Sequence, residues 1–397
     1  MADPQYPIDP ITLRVGGVDW SYWKSVEIVR QMDAVAGAFS LALADKWVPG
    51  AQSARTSSQS ALPIAAGQEC ELLIGRDPVI KGYIDKVTPS FSASDHGITV
   101  SGRDASADLV DCSAVHKPGQ WTNINCLDLV RTLAKPFGVQ VTAQGEIGAP
   151  FPVFKLEQGE KAFEALDRAL KQRELLACPD GRGGIVLLKI GSGTHALSLR
   201  QGENILSASA DYDLTDRFSD YLVQAQKPGN DKEWGLAACA VHAAAKDADV
   251  KRHRPLIIRA ENSADSAGAQ QRAAWEKTVR AGRSVSISVT VQGFRQGRPG
   301  DVGAALWQVN AMTEVDIPFL RISQRLLCGK VVFKRDLSSG STTTLELKDP
   351  AAFKPEPKKR KDKSGTAKDF NIEEGKSLQY WKDEQAAARQ REIRRGK

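Results

Sequence analysis

Apolar residues recur at every second position through much of this chain, the period of a half-buried β-strand. In SVEIVRQMD, Val26 and Ile28 alternate with Glu27 and Arg30. In AFSLALADKW, Phe39, Leu41 and Leu43 alternate with small or polar partners. ITLRVGGVDW divides into two short strands about Gly16-Gly17, a pair suited to a hairpin turn. Pro49–Ala61 has no period and reads as a loop; Glu69–Gly75 and Val79–Val87 resume the alternation.

The stretch Gly82–Ser113, GYIDKVTPSFSASDHGITVSGRDASADLVDCS, organises the rest. Tyr83, Asp85 and Val87 alternate with Ile84, Lys86 and Thr88. A polar turn follows at Ser92–Gly97, and a β-branched strand at Ile98–Gly102. This is a hairpin signal. Beyond Asp104 the period becomes helical, with Leu109, Val110 and Cys112 at helix spacing. A weaker echo lies at Leu326–Pro350, LLCGKVVFKRDLSSGSTTTLELKDP. Each copy has a glycine-headed strand (Gly82, Gly329), a Ser/Asp/Gly turn and a basic–acidic step, Arg103-Asp104 or Lys348-Asp349. The pair suggests two related β modules in one chain.

Between them the pattern changes. NINCLDLVRTLAKPFG places Cys126, Leu129, Val130 and Leu133 on one helical face. EKAFEALDRALKQREL does the same with Phe163, Leu166 and Leu170, and leads into a hairpin turning at Pro179–Gly184. With the strand VQVTAQ this is an α+β domain. SASADYDLTDRFSDYLVQAQK returns to β. Next, SADSAGAQQRAAWEKTVRAG predicts a helix capped by Ser263 or Asp265 and ended by Gly282, with Trp275 and Val279 inward. RSVSISVTVQGF is a long strict alternation through Val285, Ile287, Val289 and Val291.

A chain of 397 residues accommodates several domains. No apolar run approaches the length of a membrane-spanning helix, and MADPQYPIDP has neither the basic nor the apolar region of a secretory signal. Six cysteines are scattered in apolar contexts without a CxxC pair, which predicts buried free thiols, Cys112 among them, in a reducing compartment. The net charge of +6 belongs to the end of the chain. Lys354–Lys397 holds 14 Lys/Arg and 8 Asp/Glu, and the body balances 40 against 40. A neutral body argues against nucleic-acid binding outside that tail. The Pro/Lys-rich start of the tail reads as a disordered linker. Its last stretch displays Leu378 and Trp381 as a candidate docking segment.

Catalytic and cofactor chemistry finds little support. His96, His116, His195, His242 and His253 fall in no metal-ligand spacing, no GxSxG elbow or phosphate-binding loop is present, and no cofactor is expected. Acidic pairs such as Asp211/Asp213 and Asp216/Asp220 suit strand edges and turns better than glycosidase carboxylates.

GRDASADLVDCS resembles the signature of the phage Mu-type tail proteins that form the baseplate hub of contractile tails. LLACPDGRGGIVLLKIG, NILSASADYDLTDRFSDYLVQAQ, VKRHRPLIIRAEN, RAAWEKTVRAGRSVSISVTVQGFRQ, LWQVN and LELKDPAAF match in the same order, over roughly Ile11–Phe353. The resemblance extends to the hub part of type VI secretion spikes. It implies an α+β, mainly β, fold. Two similar β-barrel domains are expected at 1–103 and at 201–229 with 284–353. They accompany a small α+β domain at 104–200, a helical insertion at 230–283 and a disordered basic tail at 354–397. It further implies a homotrimer whose six barrels form a pseudo-sixfold ring. That ring joins the tail tube and other baseplate proteins to a central membrane-puncturing spike, lets DNA pass, and meets the host envelope only through the spike. Its place is the virion's tail baseplate, assembled in the host cytoplasm. Strands carrying Tyr83, Asp85 and Val87, and Lys330 and Val332, would make the subunit contacts. The alternatives are a peptidoglycan-degrading tail enzyme and a type VI or tailocin-like spike hub.

Overall fold

The computed structural model describes residues 9–21, 23–44, 64–91, 96–193, 195–225, 241–259, 266–297, 301 and 303–354. The caps expected at Ser263 and Asp265, the loop at 49–61, Cys239, and the tail with Leu378 and Trp381 lie outside them.

The alternating segments form strands as expected. β1 (Ile11–Val15) and β2 (Val18–Trp20) make a hairpin whose two turn residues, Gly16 and Gly17, both have positive φ, 57° and 81°. Such a turn needs that conformation at both positions, and glycine adopts it without a Cβ clash. β3 (Trp23–Gln31), β4 (Ala38–Ala44), β5 (Glu69–Ile74), β6 (Asp77–Phe91) and β7 (His96–Asp104) complete the first module. The second comprises β13 (Leu199–Arg200), β14 (Ser207–Tyr212), β18 (Val285–Gln292), β19 (Met312–Ile317), β20 (Ile322–Asp336) and β21 (Gly340–Lys348).

These strands form one sheet of 13 strands in the order β14-β18-β21-β20-β3-β4-β7-β6-β5-β1-β2, with β19 against β20 and β13 against β19. Where two separate barrels were expected, one ladder runs through both modules, and no ring of pairing closes among the described residues. The join is β20 on β3, antiparallel from Lys330↔Gln31 to Asp336↔Ser25. Beneath it the inward residues of both modules pack as one core, including Ile28, Phe39, Leu41, Val289, Phe333 and Leu345. Phe333 meets Phe294 edge-on at 5.7 Å, an arrangement aromatic rings favour.

A second core belongs to the α+β segment. α1 (Ala107–Asp111) leads out of β7. α2 (Cys126–Ala134) starts where the Asn125 side chain accepts a hydrogen bond from the Asp128 N–H at 2.8 Å. α3 (Ala162–Lys171) buries Ala162, Ala165, Leu166, Ala169 and Leu170. Against these helices lie β8 (Gln120–Ile124) with β10 (Phe151–Lys155), and β11 (Leu176–Pro179), β12 (Ile185–Leu188) and β9 (Val141–Ala143).

Two boundaries differ from expectation. β15 (Asp220–Ala225) was read as part of the second β module but pairs with β16 (Val241–Lys246) and β17 (Pro255–Arg259) in a small sheet of its own. The insertion is therefore strand and helix, covered by α4 (Ser266–Arg283) through Ala269 and Ala273. Gly282 does not stop α4, which runs on to Arg283. It allows close packing instead: a Cβ there would lie 2.6 Å from the Ala352 backbone nitrogen. Val279 is buried, whereas Trp275 is half-buried and its Nε1 donates to the Lys354 carbonyl at 2.9 Å. Cys112 is exposed at the end of α1, not buried as expected. Cys70, Cys126, Cys178 and Cys328 are buried, and burial holds their thiols at about 11 to 12.

Candidate functional site

The two modules repeat the same strand order. β3-β4-β7-β6-β5 in the first corresponds to β14-β18-β21-β20-β19 in the second; beyond them the modules differ, β1 lying antiparallel on β5 and β13 parallel on β19. The long strands β6 and β20 have 15 residues each, and the strands that follow them have nine. Each long strand carries one bulge against its hairpin partner, between Ile84 and Lys86 in β6 and between Cys328 and Lys330 in β20. At the bulge the hydrogen bonds match. Ile84 N–H donates to the Gln68 carbonyl at 3.0 Å and its carbonyl accepts from Gly67 at 2.7 Å. Cys328 N–H donates to Ala311 at 2.9 Å and its carbonyl accepts from Asn310 at 2.8 Å. Ile84 is thus the counterpart of Cys328, Lys86 of Lys330, and Asp104 of Asp349. The glycines that suggested the repeat, Gly82 and Gly329, are three residues out of register.

The counterparts differ in what they pair with. The outer half of β20 is bound on both edges, by β21 and by β3. The outer half of β6, Lys86–Phe91, is bound only by β7 among the described residues. In the same way β3 is bound by β4 and β20, whereas its counterpart β14 is bound only by β18 among the described residues. One join is made inside the chain, and each of its two halves has an open equivalent. Beside the open edge of β14, Leu206 is 57% exposed, Tyr212 59% and Leu214 46%. Apolar side chains grouped along an unpaired strand mark an interaction surface.

Three family models match in chain order. They are described as the Mu phage baseplate assembly protein GpP-like N-terminal domain (residues 10–104), the second domain of baseplate hub protein gp44-like (106–189) and the fourth domain of Mu phage baseplate assembly protein GpP (265–356). Baseplate hub protein gp44 of Escherichia phage Mu is 32% identical over 345 residues, 85% of this chain and 87% of that protein. The chain belongs to the Mu-type baseplate hub family. The 43 kDa tail protein of prophage MuSo2 from Shewanella oneidensis is also 32% identical. It superposes with a TM-score of 0.75 over 88% of this chain and all of that one. At 10% identity and a TM-score of 0.52, the fold extends to the E. coli c3393 protein of the type VI secretion system, over 84% of this chain and 76% of that one. That protein is described as structurally similar to the T4 tail proteins gp27 and gp5. The family's named members are baseplate hub proteins, not enzymes.

The residues expected to carry contacts between hub subunits fall on both sides of the repeat. Tyr83 is 41% exposed on β6. Asp85, on the bulge, is held within the chain: Arg103 reaches it at 2.7 Å and Asp111 of α1 at 2.8 Å. These two carboxylates raise the Arg103 pKa, and Arg103 in turn holds Asp111 low. Val87 packs half-buried on the main core. Lys330 and Val332 lie on the join already made. Lys330 is bonded to Glu346 at 3.0 Å, Val332 is buried, and Val332 pairs with Val29 of the same chain. The strand edge at these two residues is therefore spent inside the chain. β14, which carries Tyr212, presents a further open edge that the sequence pattern did not single out. Its small inward residues Ala208 and Ala210 read as weak alternation, and only the exposed tyrosine and flanking leucines distinguish it.

Proposed function

We propose that this chain is the central hub of a contractile, Mu-like tail baseplate. It works as a ring of three copies that adapts a sixfold tail tube to a threefold spike. The observation that carries this reading is the single internal join with two open halves. If the operation that places β20 on β3 is repeated between chains, each copy adds two equivalent units, and closure at three copies gives six. Heterologous contacts of this kind produce either a closed ring or an open filament, and a tail tip needs the ring.

The partners on this reading are further copies of the chain, the tail tube and other baseplate proteins on one side, and the spike on the other. The ring's channel passes DNA once the spike has left, and the envelope is reached only through the spike. The chain is made in the host cytoplasm and ends in the virion tail. Family membership supports the hub assignment, and the likeness to a type VI secretion component supports a fold shared with spike-bearing machines. Light scattering across a concentration series, alone and with the cognate spike protein, tests the assembly. The expected mass is three times the 43.1 kDa of one chain. A monomer under every condition, spike included, would sink the proposal.

A further inference from the structure

We infer that Lys86–Phe91 of one copy adds as an antiparallel strand to Ala208–Asp213 of a second copy, with Val87 opposite Tyr212. The inference rests on the ring reading and specifies the contact that closes it. The register follows from the repeat. Within the chain Val331 lies opposite Arg30, Phe333 opposite Ile28 and Arg335 opposite Val26. The counterparts of Ile28 and Val26 follow from the flanking ladders. Ile28 faces Phe39 and Ala210 faces Ile287, and Phe39 and Ile287 face the matched positions Gly102 and Leu347. Carrying each residue to its counterpart sets Lys86 opposite Asp213, Thr88 opposite Asp211, Pro89 opposite Ala210, Ser90 opposite Ser209 and Phe91 opposite Ala208.

The chemistry of both edges fits that register. Lys86 is exposed and makes no ion pair among the described residues, and it meets the acidic Asp213. Opposite charges directly across a strand pair stabilise it. Val87 meets the exposed ring of Tyr212, an aromatic–β-branched pair of the kind sheets favour. The backbone also constrains the pairing. Met32 N–H donates across the made join to the Gly329 carbonyl at 2.8 Å. By strand alternation residues 331, 333 and 335 then turn their backbone groups toward β3, and 87, 89 and 91 turn theirs to the open side. Pro89 therefore offers a carbonyl and no donor there, which discourages pairing with arbitrary strands. Pro89 and Ala210 also replace the buried pair Phe333 and Ile28, so the contact between copies buries less than the one within them.

Disulfide trapping tests the register, because a bridge forms only where Cα atoms come within reach. Ser90→Cys with Ser209→Cys, in a chain carrying Cys112→Ser, should on oxidation lose its monomer band on a non-reducing gel. Linked species should stop at three chains, and each single-cysteine variant should stay monomeric. The offset pair Ser90→Cys with Asp211→Cys should not link. A trimer mass in light scattering with no link between residues 90 and 209, or with stronger linking in the offset pair, overturns the register and leaves the ring reading standing. A chain that is monomeric under every condition, spike included, overturns both.

Discussion

The two repeats finish their hairpins on the same kind of residue and use it in opposite ways. Asp104 is buried, and its carboxylate accepts from the Gly37 N–H at 2.8 Å and the Lys81 N–H at 3.2 Å. Burial pushes its pKa up to about 6, with nearby Asp180 adding to the rise; the two N–H bonds and Arg30 oppose it. Asp349 is exposed and caps the closing 3-10 turn by accepting from Ala351 N–H at 2.7 Å. The first repeat has a domain built onto its end and the second ends the described body, so one sequence step becomes a buried tie in one place and a solvated cap in the other. The edges diverge likewise. The second repeat's long strand is sealed against β3, and the first repeat's is left for a partner. The two modules share one framework of strands and bulges and differ in which long strand is sealed within the chain.

The largest effect should separate the sealed edge from the open one. Phe333→Ala removes a fully buried ring and should cost about 3–5 kcal/mol in urea unfolding. Pro89→Ala, its counterpart on the open edge, should stay within about 0.5 kcal/mol. Equal losses would mean that β6 is also buried within the chain. The two glycines should differ next. A Cβ at Gly82 would lie 2.1 Å from the Arg103 carbonyl oxygen, which is fixed backbone, and at Gly329 2.8 Å from the ring edge of Phe353. Gly82→Ala should cost about 3 kcal/mol or more and Gly329→Ala about 1 kcal/mol in thermal melts.

The acids give a smaller, pH-dependent contrast. A carboxyl whose folded pKa is raised binds its proton more tightly in the folded chain, so its contribution weakens as pH rises from about 4 through about 6. The melting temperature should carry that downward slope, Asp104→Asn should flatten it, and Asp349→Asn should leave it in place. The last contrast belongs to Tyr212→Ala, whose effect falls on assembly more than on the folded chain. It should change monomer stability by about 0.5–1 kcal/mol, yet lower the mass seen in light scattering. A mass that does not move would separate β14 from assembly.

Much of this was legible where the signal is local. Alternation located β3, β4, β6, β7 and β18. Helical spacing located α2 and α3, and Gly16-Gly17 located a turn. The repeat itself was visible through Arg103-Asp104 and Lys348-Asp349. Its register was not, because a bulge leaves no mark in composition and the matching glycines serve different packing needs. Alternation says that a strand has two faces and nothing of which sheet it joins, which is how β15 was placed in the wrong one. The join of β20 to β3 was invisible for the same reason: it is a pairing between segments far apart, with the same residue pattern either way. Cys112 sits in an apolar-looking run, but α1 is short and ends there, leaving the thiol in solvent.

That join also sets an order of events during synthesis. Gln31 waits for Lys330, about 300 residues later, and at roughly 5–20 residues per second that is about 15–60 s of translation. Through that interval the first module exists with β3 unsealed at one edge and, beyond β4 and β7, the outer half of β6 unpaired among the described residues at the other. On a crowded polysome, neighbouring nascent chains would present complementary edges before either is complete. β20, near the end of the described body, is therefore the strand that withdraws β3 from intermolecular competition, and a ribosome that stalls before it would release a chain with the wrong edge exposed.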